Sequence, residues 1–415
     1  MRRVRGHPPA AARRRREPLT GPGVPVRDGS LTGAMSHAAA RLDGLGTTIF
    51  TEMTALAART GAINLGQGFP DTDGPAAIID AAVAALRGGE NQYAPLPGVP
   101  ALREAIFEHQ RRWYGLEPED VLVTFGATEA IASAVMGLCD PGDEVVVFEP
   151  SYDSYAACVA FAGATPRFVT LRPPDFALDA DALRAAIAAG RGRVRAVLVN
   201  TPHNPTGRVF TRAELQMVAD ACIEHDLVCI TDEVYEHLVF DGEHIPPATL
   251  PGMGQRTLTI SSVGKSFSVT GWKIGWCSGP APLVAATRTV KQFLTFAGGT
   301  PLQHAAAAAL RLPRAELEAL RDDLRARRDQ LCAGLRAAGL EPLVPAGTYF
   351  VNADVGTDAT EWCATLPERC GIVAIPTSVF YDDKGAARTL VRFAFCKRSQ
   401  VIAEAARRLA SLRVP

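Results

Sequence analysis

Lysine is almost missing from this chain of 415 residues: there are five, Lys265, Lys273, Lys291, Lys384 and Lys397, among 43 basic residues. Wherever a cation only has to be solvated or to pair with a carboxylate, the sequence uses arginine. Each lysine therefore raises the question of what an amine does that a guanidinium cannot. No sign of charge dominates, with 43 basic against 44 acidic residues and a formal net charge of -1. That balance excludes nucleic-acid binding by broad phosphate neutralisation. No apolar run approaches the roughly 18 residues of a membrane span; runs such as Val145 to Phe148 and Ala196 to Val199 are strand-sized. The nine cysteines (Cys139, Cys158, Cys222, Cys229, Cys277, Cys332, Cys363, Cys370 and Cys396) are odd in number and scattered, and none makes a C-x-x-C pair. In a chain this long the pattern reads as reduced thiols, with neither a disulfide framework nor a cysteine zinc site, so a soluble protein of the cytoplasm with no metal is expected.

Residues 1–35 are unlike the rest. They hold Arg2, Arg3, Arg5, the run Arg13 to Arg16 and Arg27 against only Glu17 and Asp28 as acids, and lack the apolar core of a secretory signal. The composition favours disorder; the segment reads as an unstructured extension, or as sequence upstream of a true start at Met35.

From about residue 76 strand-like and helix-like segments alternate. Strands are expected at Val121 to Thr124, Glu144 to Phe148, Arg167 to Thr170, Ala196 to Asn200, Val228 to Asp232 and Leu258 to Ser262. Thr211 with Glu214 three residues on is a capping box that opens a helix. Such alternation implies a mostly parallel sheet covered on both faces, with ligands beyond the carboxyl ends of its strands. A long Ala/Leu/Arg helix is expected over Ala315 to Ala338, followed by shorter pieces. The expected organisation is an arm and part of a small domain over 36–75, a large domain over 76–302, and a smaller α+β domain over 303–415.

The polar residues cluster at strand ends. Lys265 lies in Ser261-Ser262-Val263-Gly264-Lys265-Ser266, directly after a strand, where an amine can form a Schiff base with an aldehyde. Lys273 follows eight residues later. Thr231-Asp232-Glu233-Val234-Tyr235 ends one strand, and Asn200-Thr201-Pro202-His203-Asn204-Pro205-Thr206-Gly207 ends another. Taken singly, each has a plainer reading: Lys265 as a surface lysine, Asp232 as a helix cap, Tyr152 as a core tyrosine, Arg392 as one half of a structural ion pair.

In this order and combination, the motifs resemble those of the class I and II aminotransferases, over about Arg41 to Leu409. The resemblance implies an α/β fold, the type I fold of pyridoxal phosphate enzymes, in which a large domain with a mostly parallel sheet between helices carries a smaller α+β domain. It implies pyridoxal 5′-phosphate as cofactor, with Lys265 as the Schiff-base lysine and catalytic base and Asp232 paired with the ring nitrogen. Asn204 and Tyr235 would bind the 3′ oxygen, and Tyr152 would stack on the ring. Ala127 and Thr128, which open a helix after the strand Val121 to Thr124, would hold the phosphate with Ser262 and Lys273. Tyr93 would reach the phosphate of a neighbouring subunit, which makes the active unit a homodimer with shared sites. Arg392, the lone charge in Val391-Arg392-Phe393-Ala394-Phe395, would clamp the substrate α-carboxylate, with Gly68 offering backbone to the same group and Phe50 and Phe296 shaping the side-chain pocket.

Within the family, Lys291 to Pro301 and Leu390 to Arg398 look nearest to actinobacterial N-succinyldiaminopimelate aminotransferases. The partners expected are an L-amino acid and a 2-oxo acid such as 2-oxoglutarate, with no nucleic acid and no membrane. The alternative is a broad methionine, glutamine or kynurenine type of enzyme with cysteine-S-conjugate β-lyase side activity. A tryptophan of the kynurenine enzymes is replaced by Phe50, and a histidine by Ala297, which weakens the case for aromatic donors. A regulator joining this fold to a DNA-binding domain is ill matched to so short an N-terminal tail.

Overall fold

The computed structural model describes residues 39–42, 45, 46 and 48–412. The arginine-rich extension, and the first residues of the expected arm, lie outside the described residues.

A short strand, β1 (Ile63–Asn64), precedes two helices, Ala76–Gly88 and Pro100–Tyr114. The main sheet then uses β2 (Asp120–Phe125), β3 (Glu144–Glu149), β4 (Thr165–Thr170), β5 (Val194–Asn200), β6 (Val228–Asp232), β7 (Thr257–Ser262) and β8 (Ile274–Gly279). The seven strands lie in the order β2-β8-β7-β6-β5-β3-β4. Strands β3 to β7 pair in parallel, and β8 sits antiparallel between β2 and β7. The unbroken apolar runs of β3 and β5 follow from this position, since a strand with helices on both faces has no solvent side. Val146, Val197, Val199 and Cys229 face the helices Ala180–Ala189 and Arg212–Glu224. Their alternate neighbours Val145, Val147, Leu198 and Ile230 face the helices Gly126–Leu138 and Ser154–Phe161.

Local chemistry sets the helix ends. Thr211 Oγ1 accepts from the Glu214 amide at 3.2 Å while Glu214 Oε2 accepts from the Thr211 amide at 2.9 Å, the reciprocal box expected of that spacing. The six anticipated strands are present to within two residues at each end. β8 is the addition. Its Gly275 reads as a strand breaker, yet a Cβ there would lie 2.5 Å from the Gly126 carbonyl carbon. Glycine is what allows this strand to run against the start of the helix Gly126–Leu138.

The C-terminal part begins with the helix Arg314–Ala337 and contains β9 (Pro342–Leu343), β10 (Phe350–Asp354), β11 (Ile372–Val373), β12 (Ile375–Pro376) and β13 (Leu390–Ala394). Four of them form an antiparallel sheet in the order β12-β13-β10-β9, while β11 pairs in parallel with β1. The early segment thus joins the C-terminal part of the chain. Its core brings Leu331, Leu335, Trp362, Phe393 and Leu409 together with Val234 and Tyr235, so the turn after β6 is packed into both parts of the fold.

Candidate active site

The register of the main sheet brings the polar strand ends level. Asn200 of β5 stands opposite Asp232 of β6, and Asp232 opposite Ile260 of β7, two residues before Ser262. Beyond these ends lies a cavity of about 450 Å³. Phe50, Gly68, Ala127, Thr128, Tyr152, Asn204, Asp232, Tyr235, Ser262, Lys265, Lys273 and Arg392 all line it. Tyr93 and Phe296 do not. They are 81% and 44% exposed and pack edge to face on each other, 5.6 Å between ring centroids.

Lys265 follows β7 on the short helix Val263–Ser266. Its Nζ lies 3.3 Å from the Gly68 carbonyl oxygen and 5.9 Å and 5.7 Å from the rings of Tyr235 and Tyr349. Removal from bulk water lowers its pKa to about 8, against the opposing pull of Cys396 and Asp232. Asp232 is buried at the end of β6. Its Oδ2 accepts from Tyr155 Oη at 2.6 Å and its Oδ1 from the Val234 amide at 3.3 Å. Burial outweighs these contacts and raises its pKa to about 6. A carboxyl so placed is an anion in want of a cationic partner inside the cavity.

The helix Gly126–Leu138 starts at the cavity wall with no side-chain cap on its first amides. Glu129 instead turns back to the Phe125 amide, 2.6 Å away. A Cβ on Gly126, whose φ is +69°, would come within 3.1 Å of Lys273 Nζ, so the ammonium lies over the helix start. Lys273 itself adopts φ +54°, a left-handed conformation uncommon outside glycine and typical of residues fixed by function. Open amides, a helix dipole and one lysine make an anion subsite.

Arg392 sits in β13, 0% exposed, with its guanidinium 4.0 Å from the Phe350 ring centroid and 4.5 Å from that of Phe380. Nη1 donates to Asn204 Oδ1 and Nη2 to the Gly66 carbonyl, each at 3.0 Å, while the buried Nε has no partner. Burial lowers its pKa to about 10, so it stays charged. A buried guanidinium with an unspent N–H at a cavity wall suits a carboxylate. Gly68 is required here by packing: a Cβ would fall 2.3 Å from the Phe350 ring.

Three neighbours were not singled out from sequence. Tyr155 holds Asp232 from the helix Ser154–Phe161. Asn200 Nδ2 donates to the Asp232 carbonyl at 2.7 Å, and Asn200 Oδ1 accepts from the Asn204 amide at 2.8 Å, tying two strand ends together. Tyr349 Oη donates to the Gly68 carbonyl at 2.5 Å. The place of Asn200 at a strand end was a usable signal; nothing local marks Tyr155 or Tyr349.

A sequence profile of the class I and II aminotransferases matches residues 60–409. The solved structure of N-succinyldiaminopimelate aminotransferase from Mycobacterium tuberculosis is 52% identical and superposes with a TM-score of 0.88, covering 90% of this chain and 100% of that one. Methionine aminotransferase from Escherichia coli is 42% identical over 380 residues, 90% of this chain and 97% of that protein. Kynurenine–oxoglutarate transaminase 3 from mouse is 39% identical over 401 residues, 88% of each chain. This chain belongs to the class I and II aminotransferases and is an aminotransferase with their α/β architecture.

Proposed function

We propose that this aminotransferase uses pyridoxal 5′-phosphate to move the amino group of an L-amino acid to a 2-oxo acid such as 2-oxoglutarate, with N-succinyl-LL-diaminopimelate as the amino donor. The observation that carries the cofactor reading is the convergence on one cavity of Lys265, a buried acid with no ion pair among the described residues, and an uncapped helix start under Lys273. These residues fit the group. When bound, it supplies an aldehyde for amines and a protonated ring that withdraws electrons from the substrate Cα.

Lys265 Nζ would hold the group through its aldehyde, and is the amine placed to take a proton from the substrate Cα and return it. Its lowered pKa puts a useful fraction of the amine in the neutral form near pH 7. Asp232, with Tyr155 behind it, would keep the ring nitrogen protonated. Asn204 and Tyr235 would bind the 3′ oxygen, Tyr152 would cover the ring, and Ala127, Thr128, Ser262 and Lys273 would hold the phosphate. Arg392 and the Gly68 backbone orient the carboxylate of both donor and acceptor, so one clamp serves both halves of a ping-pong cycle. Phe50 borders the side-chain pocket of its own chain, and Phe296 would border that of an adjoining protomer.

The working unit in this reading is a homodimer in which Tyr93 reaches the phosphate of the adjoining protomer. The exposure of Tyr93, Phe293, Leu294 and Phe296, with Tyr93 and Phe296 packed edge to face, supports it. A large domain over 76–302, a small one over 303–415 and a cytoplasmic location complete the proposal. Among the described residues no helix is long and apolar enough to cross a membrane.

The succinylated donor is supported by the relative at 52% identity. The second reading, a broad methionine, glutamine or kynurenine enzyme with β-lyase side activity, is supported by the relatives at 42% and 39% identity. Comparing kcat/KM for the four donors with 2-oxoglutarate decides between them. Preference for the succinylated donor is expected, and its failure to react would remove that assignment. Pyruvate release from a cysteine S-conjugate measures the lyase branch.

A further inference from the structure

Asp232 and Tyr235 line the cavity described above, but Glu236 and His237, next along the same turn, open into a second cavity of about 260 Å³ bordered by Tyr114, His244 and Arg314. Beside it, His109 Nε2, His237 Nε2 and a Glu236 carboxylate oxygen lie within 4.8 Å of one another. The two ring nitrogens face each other at 2.7 Å, and Glu236 Oε2 is 3.9 Å from His109 Nε2. The side chains of His109 and Glu236 are 1% and 3% exposed. Glu233, three residues before Glu236, is equally buried; its Oε2 meets His244 Nε2 at 2.7 Å and its Oε1 accepts from Thr231 Oγ1 at 2.6 Å. Among the described residues no lysine or arginine pairs with either carboxylate. Two buried acids thus lie among imidazoles, unpaired with the arginines Arg314 and Arg321 that border the cavity, and a cation bound at Glu236 would give it a close counter-charge.

The donor set is specific in kind. Two imidazole nitrogens and one carboxylate oxygen form a three-ligand zinc set that leaves a fourth position for water. Metal–nitrogen bonds of about 2.0–2.1 Å put neighbouring donors roughly 3.3 Å apart in a tetrahedron, so the two nitrogens need to separate by only a few tenths of an ångström. The carboxylate is already oriented as ligating carboxylates are: Tyr114 Oη donates to Oε2 at 2.6 Å and Ser261 Oγ to Oε1 at 2.5 Å. We propose that His109, Glu236 and His237 bind one divalent transition-metal ion of the zinc class, entering through the second cavity, with water as the remaining ligand. The ion ties the helix Pro100–Tyr114 to the turn that carries Asp232 and Tyr235. The sequence gives no spacing signature for it, because His109 and His237 are 128 residues apart.

The test uses untagged, full-length protein loaded with its coenzyme, stripped of metal with a chelator and titrated with Co²⁺. One equivalent per protomer is expected, with ligand-field absorbance to the red of the coenzyme band. Both should be lost in His109→Gln and His237→Gln and kept in His225→Gln, an exposed control. Ser261→Ala should weaken uptake about 10- to 100-fold, the usual effect of removing an outer hydrogen bond. Glu236→Gln preserves side-chain shape, so if a histidine variant fails to fold, loss of cobalt uptake in Glu236→Gln at an unchanged circular dichroism spectrum carries the same conclusion. Wild-type protein that takes up no cobalt at one equivalent, or uptake that is the same in the folded ligand variants, would overturn the assignment.

Discussion

Replacing Tyr155 with phenylalanine keeps the ring that packs in the core and removes one hydroxyl, the donor 2.6 Å from Asp232 Oδ2. A hydrogen bond to a charged group is worth about 1.5–3 kcal/mol, and here it favours the carboxylate over the carboxyl. One pKa unit corresponds to 1.36 kcal/mol, so its loss should raise the Asp232 pKa by about one to two units. From a starting value of about 6, the acid would then be roughly half to nine-tenths protonated at neutral pH. A protonated Asp232 cannot pair with a cationic ring nitrogen. Coenzyme affinity of wild-type apoprotein should therefore rise with pH through about 6, and that of Tyr155→Phe only one to two units higher. At pH 7.5 the ionised fraction of Asp232 falls from nearly all to roughly three-quarters or one-quarter, so the variant should lose about 1.3- to 4-fold in kcat/KM there, a loss that grows toward 10- to 100-fold below about pH 5. The assay is coenzyme titration by absorbance at several pH values, followed by steady-state transamination. A variant with wild-type affinity, pH profile and turnover would refute the role given to the phenol.

Other consequences can be checked in the same way. Arg392→Lys exchanges a planar fork for a point charge and should lower kcat/KM for amino and oxo acids by comparable factors, on the order of a hundredfold; selective loss of one substrate would contradict a shared clamp. Asp232→Asn should stabilise the apoprotein while abolishing transamination. The raised carboxyl contributes stability below its unfolded pKa and loses it as pH rises through about 6, so the gain in Tm should be seen at pH 8 and vanish below pH 4. The gain is bounded at about 3 kcal/mol, less the Tyr155 hydrogen bond. Coenzyme capture needs the neutral amine of Lys265, so the capture rate should level off above pH 8, and a rate still climbing tenfold per unit at pH 9 would contradict the lowered pKa. Gly68→Ala forces a methyl against the Phe350 ring and should cost about 1–3 kcal/mol of stability together with substrate affinity, read by thermal melting and KM.

What could be read from sequence was what local chemistry writes into it. Lys265 stood out because lysine is scarce and this one ends a strand; Arg392 because it is the only charge in an apolar strand; Asp232 and Asn204 because rigid, polar turns end buried runs. The parallel sheet was legible because a strand covered on both faces must be apolar throughout. What stayed hidden depends on tertiary approach. Tyr155 and Asp232 are 77 residues apart, and no spacing announces their contact. β8 was missed because Gly275 weakens the strand pattern for a reason visible only once Gly126 lies against it. Tyr93 and Phe296 do not line the cavity of their own chain, so the roles proposed for them require the proposed second subunit.

The central claim, that the amine at 265 is the coenzyme's attachment point, is tested most directly by borohydride. Coenzyme-loaded protein should be reduced, digested and mapped by mass spectrometry. One pyridoxyl group per chain on the peptide containing Lys265 is the result the account requires. The group on Lys273 or Lys291, or an unlabelled chain after saturation with coenzyme, would contradict it.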